Sequence, residues 1–248
     1  MTRHKPAVGT AGWSIPALHA HAFPQSGSHL ERYARQLPVV EINSTFYRPH
    51  KPTTYGRWSA SVPPSFRFAA KIPNAITHER RLVDVEEPLR RFLSEVEVLG
   101  NRLGPLLVQL PPSLRYDAAV TDRFFSRLRT LFAGNVVCEP RDATWFTDAV
   151  DAKLSEFRIA RVAADPAVVP RAAEPGGWRA LTYRRLHGSP EMYRSGYPAA
   201  FLDKLALQIL NEYRDRHECW CIFDNTALGE ATKNALDLLG GLQRAFSL

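Results

Sequence analysis

Cysteine is scarce in this chain, with Cys138, Cys219 and Cys221 the only ones among 248 residues. An odd, sparse set without framework spacing excludes a disulfide scaffold and suits a reducing cytoplasm. Cys219 and Cys221 form a C-x-C on one strand face, not the C-x-x-C of a redox or zinc site, so all three read as small buried hydrophobes. No apolar run approaches the roughly 20 residues of a membrane span, and no membrane partner is expected. Met1 to Pro6 is basic but leads into no sustained apolar core, so no secretory signal is expected. No G-x-G-x-x-G follows an apolar run, which counts against a dinucleotide-binding sheet, and no His-x-His or His-Glu-x-x-His announces a metal.

What remains is an ordinary soluble composition, 45% hydrophobic and 23% charged, with a formal charge of +7. That balance leans towards an anionic partner, a phosphorylated small molecule or nucleic acid, although net charge alone more often marks a solvated surface. The chain repeats one unit: an apolar strand, a polar residue near its C-terminal end, and an amphipathic helix. Strands are expected at Ala7 to Trp13, Val39 to Phe46, Phe66 to Ile72, Pro105 to Pro112, Val136 to Arg141, Ile159 to Asp165, Leu181 to His187 and Cys219 to Asp224. Pro52 is expected to open one helix and Asp117 to cap another. Pro166 to Trp178, with its prolines and Gly-Gly, reads as a loop or degenerate helix. Eight units over this length predict an α/β fold, a single parallel (β/α)8 TIM-type barrel domain over residues 1–248. A doubly wound open sheet is the alternative.

In such a barrel the chemistry lies at the C-terminal strand ends. Alternation puts Val39, Glu41 and Asn43 on one face of their strand, Val137, Glu139 and Arg141 on one face of theirs, and likewise Tyr183, Arg185 and His187. A charge inside an apolar run is costly unless it is paired, hydrated or functional. The strand-end set is Trp13, Glu41, Asn43, Lys71, Gln109, Glu139, Arg141, Asp165, Arg185, His187, Asp224 and Asn225, and a polar group at nearly every strand end predicts a pocket. Glu41, Lys71, Glu139, Asp165 and His187 are the candidate catalytic groups, His187 because its imidazole suits proton transfer near neutrality. Trp13, Asn43, Tyr47, His78, Gln109, Arg141, Trp145, Arg185, Tyr193 and Asn225 are the candidate substrate contacts. Among them Trp13 and Trp145 suit stacking, and the two arginines suit anionic oxygens. Trp58 and Trp220 are expected in packing. Tyr193 and Tyr197 flank Arg194 and Ser195 in a loop suited to a phosphate or sugar. Glu41, Glu139, Asp165 and His187 form an oxygen-rich set able to hold Mg2+ or Mn2+. His4, His19, His21, His29, His50 and His217 are expected at the surface or in loops.

Several stretches together resemble a known family. They are Gly9 to Trp13, Val40 to Arg48, Ile76-Thr77-His78, Leu103 to Pro112, Glu139-Pro140-Arg141 with Trp145-Phe146, Tyr183 to Gly188, and Asn234-Ala235. In this order they resemble domain-of-unknown-function family 72, the YecE-like proteins, across nearly the whole chain. The resemblance implies a TIM-type barrel and implies no reaction. Asp142 stands where the family commonly has histidine, Asp224-Asn225 stands for an Asn-Asn pair, and Leu18 and Leu205 occupy positions often held by tryptophan.

Three functions follow. The first is an enzyme of hydrolase or lyase type on an anionic, phosphate-containing substrate, possible nucleic acid included, with Glu139 or Asp165 as base and His187 as acid or base. The second is carbohydrate chemistry with Glu41 and Glu139 as the carboxylate pair. The third is a non-catalytic barrel that binds an anionic ligand or RNA. Catalysis predicts a perturbed group facing open space; simple binding predicts carboxylates that are all neutralised.

Overall fold

The structure is a computed structural model that describes residues 5–215 and 217–246, so His4 lies outside the described residues. Its strands are β1 (Ala7–Ala11), β2 (Val39–Ile42), β3 (Arg67–Lys71), β4 (Leu103–Gln109), β5 (Val136–Glu139), β6 (Ile159–Arg161), β7 (Ala163–Asp165), β8 (Gly176–Gly177), β9 (Leu181–Leu186) and β10 (Glu218–Phe223). Helices α1 (His29–Ala34), α2 (Pro52–Ala60), α3 (Glu86–Val96), α4 (Ala118–Leu131), α5 (Asp148–Glu156), α6 (Ala199–Arg214) and α7 (Glu230–Phe246) lie around the sheet.

Hydrogen-bonded neighbours run in the order β7-β9-β10-β1-β2-β3-β4-β5-β6-β8. The pairs are parallel except β6 with β8. Only Val162 separates β6, which pairs with β5, from β7, which pairs with β9. The sheet therefore curls into a nearly closed, barrel-like ring of ten mostly parallel strands. The α/β expectation holds, but the strand count differs from eight for a definite reason. The segment expected as one strand, Ile159 to Asp165, changes neighbour at Val162. A two-residue strand, β8, also forms within the stretch read as a loop, beyond a short turn at Pro170–Ala173.

Alternation along the strands divides the apolar residues into two cores. Val39, Ala69, Leu107, Val137, Tyr183, Trp220 and Ile222 fill the inside of the ring. Val40, Phe68, Val108, Cys138 and Cys221 face outward against Leu89, Phe124, Leu205 and Leu238 of the helices. All three cysteines are free and buried in that outer layer. Inside, the Tyr183 and Trp220 rings stack at 5.9 Å between centroids, so Trp220 is a packing residue as expected. Local signals start the helices: Ser28 and Glu31 form a capping box on α1, Pro52 occupies the first turn of α2, and Asp117 accepts from the Val120 N–H at 3.0 Å. Among the described residues no helix is long and apolar enough to cross a membrane.

Gly9 is where β1 and β2 come closest. A Cβ there would lie 2.1 Å from the Val39 carbonyl oxygen, so the strands could pair only after backbone movement. Gly56 in α2 offers the contrast, since its Cβ would meet nothing nearer than Val98 at 3.6 Å. Urea unfolding should show Gly9→Ala destabilised by about 2 kcal/mol or more. Gly56→Ala should be neutral or gain roughly 0.5–1 kcal/mol. Equal effects at the two sites would contradict this account of the β1–β2 contact.

Candidate functional site

The interior face turns polar at the C-terminal ends of β2, β3, β4, β5, β9 and β10, and Arg185 gathers what the turn produces. It lies on β9 two residues beyond Tyr183, with a fully buried side chain. Its Nε and Nη2 reach the Glu41 carboxylate at 3.1 and 2.7 Å. Its Nη1 donates to Glu139 at 2.7 Å and more weakly to Gln109 at 3.4 Å, while Nη2 also meets Asp224 at 2.9 Å. Tyr183 donates its hydroxyl to Glu41 at 2.9 Å. Arg141 pairs with Glu139 at 2.6 Å. His187 completes the group, with Nδ1 3.0 Å from Asp224 and Nε2 close to both Glu139, at 2.9 Å, and Arg141, at 2.8 Å. Nδ1 thus faces a carboxylate, and Nε2 lies between a carboxylate and a guanidinium, so the ring is held on both sides.

These charges hold one another in place. Burial alone would push the Glu139 carboxyl up, but Arg185, Arg141 and His187 hold it well below the usual carboxylate range. Burial opposes ionisation of Asp224 too, and Arg185 and His187 again prevail and lower it. Burial works against the Arg185 cation, yet Glu41, Glu139 and Asp224 raise it well above its ordinary value. Isolated buried carboxylates are expensive, so this mutual pairing is the condition for putting three at the end of an apolar barrel.

Lys71 stands apart. It ends β3 on the interior face two residues after Ala69, is 5% exposed, and makes no ion pair with any described carboxylate. Its ammonium sits 4.0 Å from the centre of the Phe46 ring. Burial first, and Arg185 second, pull its pKa down to about 8 against the partial compensation of Glu41, Asp224 and Glu139. The Phe46 cap follows from a turn that strand reading missed. The second expected strand stops at Ile42; Asn43 is helical in backbone and Ser44–Phe46 forms a 3-10 turn. Thr45 donates both to the Ile42 carbonyl and, at 2.6 Å, to that of Lys71, which stitches the turn to the end of β3.

The other expected residues divide. Gln109 and Arg141 join the network. His78 lies beside it, edge-on to Phe46 at 4.9 Å and hydrogen-bonded to the Thr77 hydroxyl, its pKa lowered by burial and by Lys71. Tyr193 places its ring 5.8 Å from that of His187, and Tyr47 is 73% exposed at the rim. Asn43 and Asn225 each keep a buried side-chain oxygen without a partner, and the Arg141 Nε is likewise unpartnered. Trp13 packs edge-on against Trp58 at 4.9 Å.

Three expectations need correction. Trp145 is no stacking platform: it is 1% exposed, packed on Tyr116, and donates its indole N–H to the Leu114 carbonyl. Asp165 takes no part in the network, because the buried Tyr197 hydroxyl donates to it at 2.7 Å. With Glu41 and Glu139 turned to Arg185 and Asp165 turned to Tyr197, the proposed metal set is not assembled. Among the described residues no group of three His, Cys, Asp or Glu is placed to hold a metal ion. His50 and His217 lie in loops as expected, His50 half-buried between Ser44, Tyr55 and Trp58, and His217 with a buried, unpartnered Nδ1. Phe46, Thr45 and Asn234, whose amide ties Tyr197 to Asn225, are the residues that sequence reading did not single out.

A cavity of about 760 Å3 opens at the opposite end of the sheet, among the strand starts at Ala7, Val39, Arg67, Leu103 and Cys219. It is far from the charged layer and is set aside as the reaction site, because parallel α/β sheets bind substrates at the carboxyl ends of their strands. Arg80, Arg81 and Arg115 border a smaller cavity of about 310 Å3 on the reactive side, whereas Arg90 and Arg91 are spent on Glu86 and Glu95 along exposed α3.

Ring and charged layer together define an α/β barrel-like protein with a buried ion network at its C-terminal strand ends. The chain belongs to the family described as "Protein of unknown function DUF72", whose family model matches residues 7–247. It is 37% identical to UPF0759 protein YecE of Escherichia coli over 104 residues, a stretch covering 42% of this chain and 37% of that relative's length. To UPF0759 protein YunF of Bacillus subtilis it is 22% identical, over 97% of this chain and 95% of the relative. The crystal structure of a DUF72 family protein from Thermotoga maritima superimposes with a TM-score of 0.79 at 22% identity, covering 99% of this chain and all of the other. One from Enterococcus faecalis gives 0.78 at 21% identity, covering 96% of this chain and 95% of that one. These likenesses extend to the fold.

Removing Arg185 should expose how much the layer depends on it. Arg185→Met leaves Glu41, Glu139 and Asp224 buried against one another, a loss of about 3–5 kcal/mol at neutral pH. In the native protein Glu139 and Asp224 are lowered, so their stabilisation is complete above the carboxylate range and is lost as pH falls through it. In the variant those carboxyls rise instead, so its deficit against the parent should shrink as pH falls from 7 towards 4. Urea unfolding across that range checks this; a pH-independent deficit would contradict it.

Proposed function

We propose that this chain is an enzyme, of hydrolase or lyase type, that takes an anionic, phosphate-containing substrate at the C-terminal face of a single eight-unit (β/α)8 barrel domain. Counting β6 and β7 as two halves of one strand, and β8 as a ladder within a loop, gives the eight-fold reading. The observation that carries the proposal is Lys71: it is the buried cation of the layer left without a carboxylate. A second is the unpartnered Arg141 Nε in the same charged layer. Buried donors without partners are costly unless a ligand or water meets them. The three free thiols fit a cytoplasmic setting.

Proton transfer falls less naturally to Glu139 than the sequence suggests, since Arg185 and Arg141 keep it ionised. The same pairing counts against carbohydrate chemistry. Glu41 and Glu139 both close on one guanidinium, and a carboxyl held well below its usual range is a poor general acid. A purely binding barrel accounts for the neutralised carboxylates and for a cation that awaits an anion; the amine pKa pulled down to about 8 by burial and Arg185 is what favours chemistry over binding alone. Nucleic acid stays within the proposed substrate class because Arg80, Arg81 and Arg115 line the neighbouring cavity.

A thermal-shift panel of inorganic phosphate, sugar phosphates, short single-stranded DNA and neutral sugars tests this. A ligand at a hundredfold excess over its Kd stabilises by about 2.7 kcal/mol, several degrees in Tm. Phosphate compounds should raise Tm in the native protein and do so much less in Lys71→Met. A response to neutral sugars alone, or an equal phosphate response in Lys71→Met, would overturn the proposal.

A further inference from the structure

Resting on that reading, we infer that Lys71 is an amine nucleophile that condenses with the carbonyl carbon of an anionic 2-oxo acid or ketose phosphate to form an imine. Amines become nucleophiles in proteins where an apolar or cationic setting keeps them from being held as ammonium ions. Lys71 has both settings. Ala69 and the inner apolar core lie below it on the same strand face, Phe46 covers the amine at 4.0 Å, and the cation of Arg185 acts on it from across the ring. The carboxylates that would ordinarily trap such a lysine in an ion pair are engaged elsewhere. Glu41, Glu139 and Asp224 all close on Arg185, and Glu139 also on Arg141. His78, whose pKa Lys71 helps to lower, is turned to the Thr77 hydroxyl. The depressed Lys71 pKa agrees with this surrounding without being needed for it.

The step balances without an outside oxidant or reductant. The nitrogen lone pair forms the N–C bond as the carbonyl π pair moves to oxygen. The carbinolamine then expels that oxygen as water, taking up the two amine protons, and leaves the C=N bond. Protonated, the imine accepts the electron pair of a breaking bond on the adjacent carbon, which belongs to the lyase arm of the proposed function. The fragment that gave up the pair leaves as a carbonyl compound, and a proton from water restores the iminium by adding to the enamine carbon. Water then adds to the C=N carbon and returns the free amine.

Reductive trapping tests the inference on the native chain. The protein is incubated with sodium cyanoborohydride and either pyruvate or dihydroxyacetone phosphate, and adducts are mapped by peptide mass spectrometry. One adduct per chain is expected, on Lys71, with labelling roughly tenfold or more above that of exposed Lys51, Lys204 and Lys233. Lys71→Arg keeps a cation and should lose the adduct while retaining thermal stabilisation by phosphate compounds. Adducts spread over the surface lysines, or none with either carbonyl while phosphate compounds still stabilise the fold, would overturn the imine and leave the anion site standing. Absence of both trapping and stabilisation would remove the anionic reading as well.

Discussion

One guanidinium determines how charge is arranged in this barrel. Arg185 enters from β9 at the level where the interior of the ring changes from apolar to polar, and three carboxylates from β2, β5 and the end of β10 close on it. Without such a centre the carboxylates would repel one another in a medium too dry to screen them. With it Glu139 and Asp224 are held below the usual carboxylate range, able to orient His187 and Arg141 yet poorly suited to taking up protons. The part of the layer open to a proposed reaction is therefore what Arg185 leaves over.

What it leaves over is Lys71. A buried lysine usually finds a carboxylate; this one finds an aromatic face, because the carboxylates at hand are already claimed. The turn at Ser44–Phe46 is as much a part of this arrangement as the strands. Thr45 pins the turn to the carbonyl of Lys71 itself, so the cap and the amine are positioned by one another. Fold and site are linked here in a concrete way. The ladder between β2 and β3 sets the height of Ile42 and Lys71, and that height sets where Phe46 can lie.

Much of this was legible in the residues, and the limits are physical. Alternation places Glu41, Glu139 and Arg185 on inward faces, and the structure agrees, because a strand buried on both faces has no freedom of register. The same reasoning fails at Asn43, where the backbone leaves the strand and the period of two no longer applies. Trp145 misleads for another reason. An aromatic residue after a strand end looks alike whether it lines a mouth or fills the layer beneath, and only the Leu114 carbonyl waiting for its indole decides. Asp165 is drawn away by Tyr197, which lies 32 residues further on, a partner no local pattern reveals. The division at Val162 likewise depends on which neighbours the curled sheet brings to each half of a strand. That Arg185 is the hub, rather than one cation among several, follows from the curvature of the ring and so lies beyond any single stretch.

The most direct test of this account is the titration of Lys71 itself, followed by NMR of the lysine side chains in protein labelled at lysine with 13C and 15N. Lys71 should titrate near 8, well apart from the remaining lysines. In Phe46→Ala, which lets water onto the amine, its pKa should move back up towards the ordinary lysine value. A Lys71 that titrates together with the surface lysines in the native protein would show that a carboxylate of the network holds it after all, and would contradict the claim that Arg185 leaves this amine unclaimed.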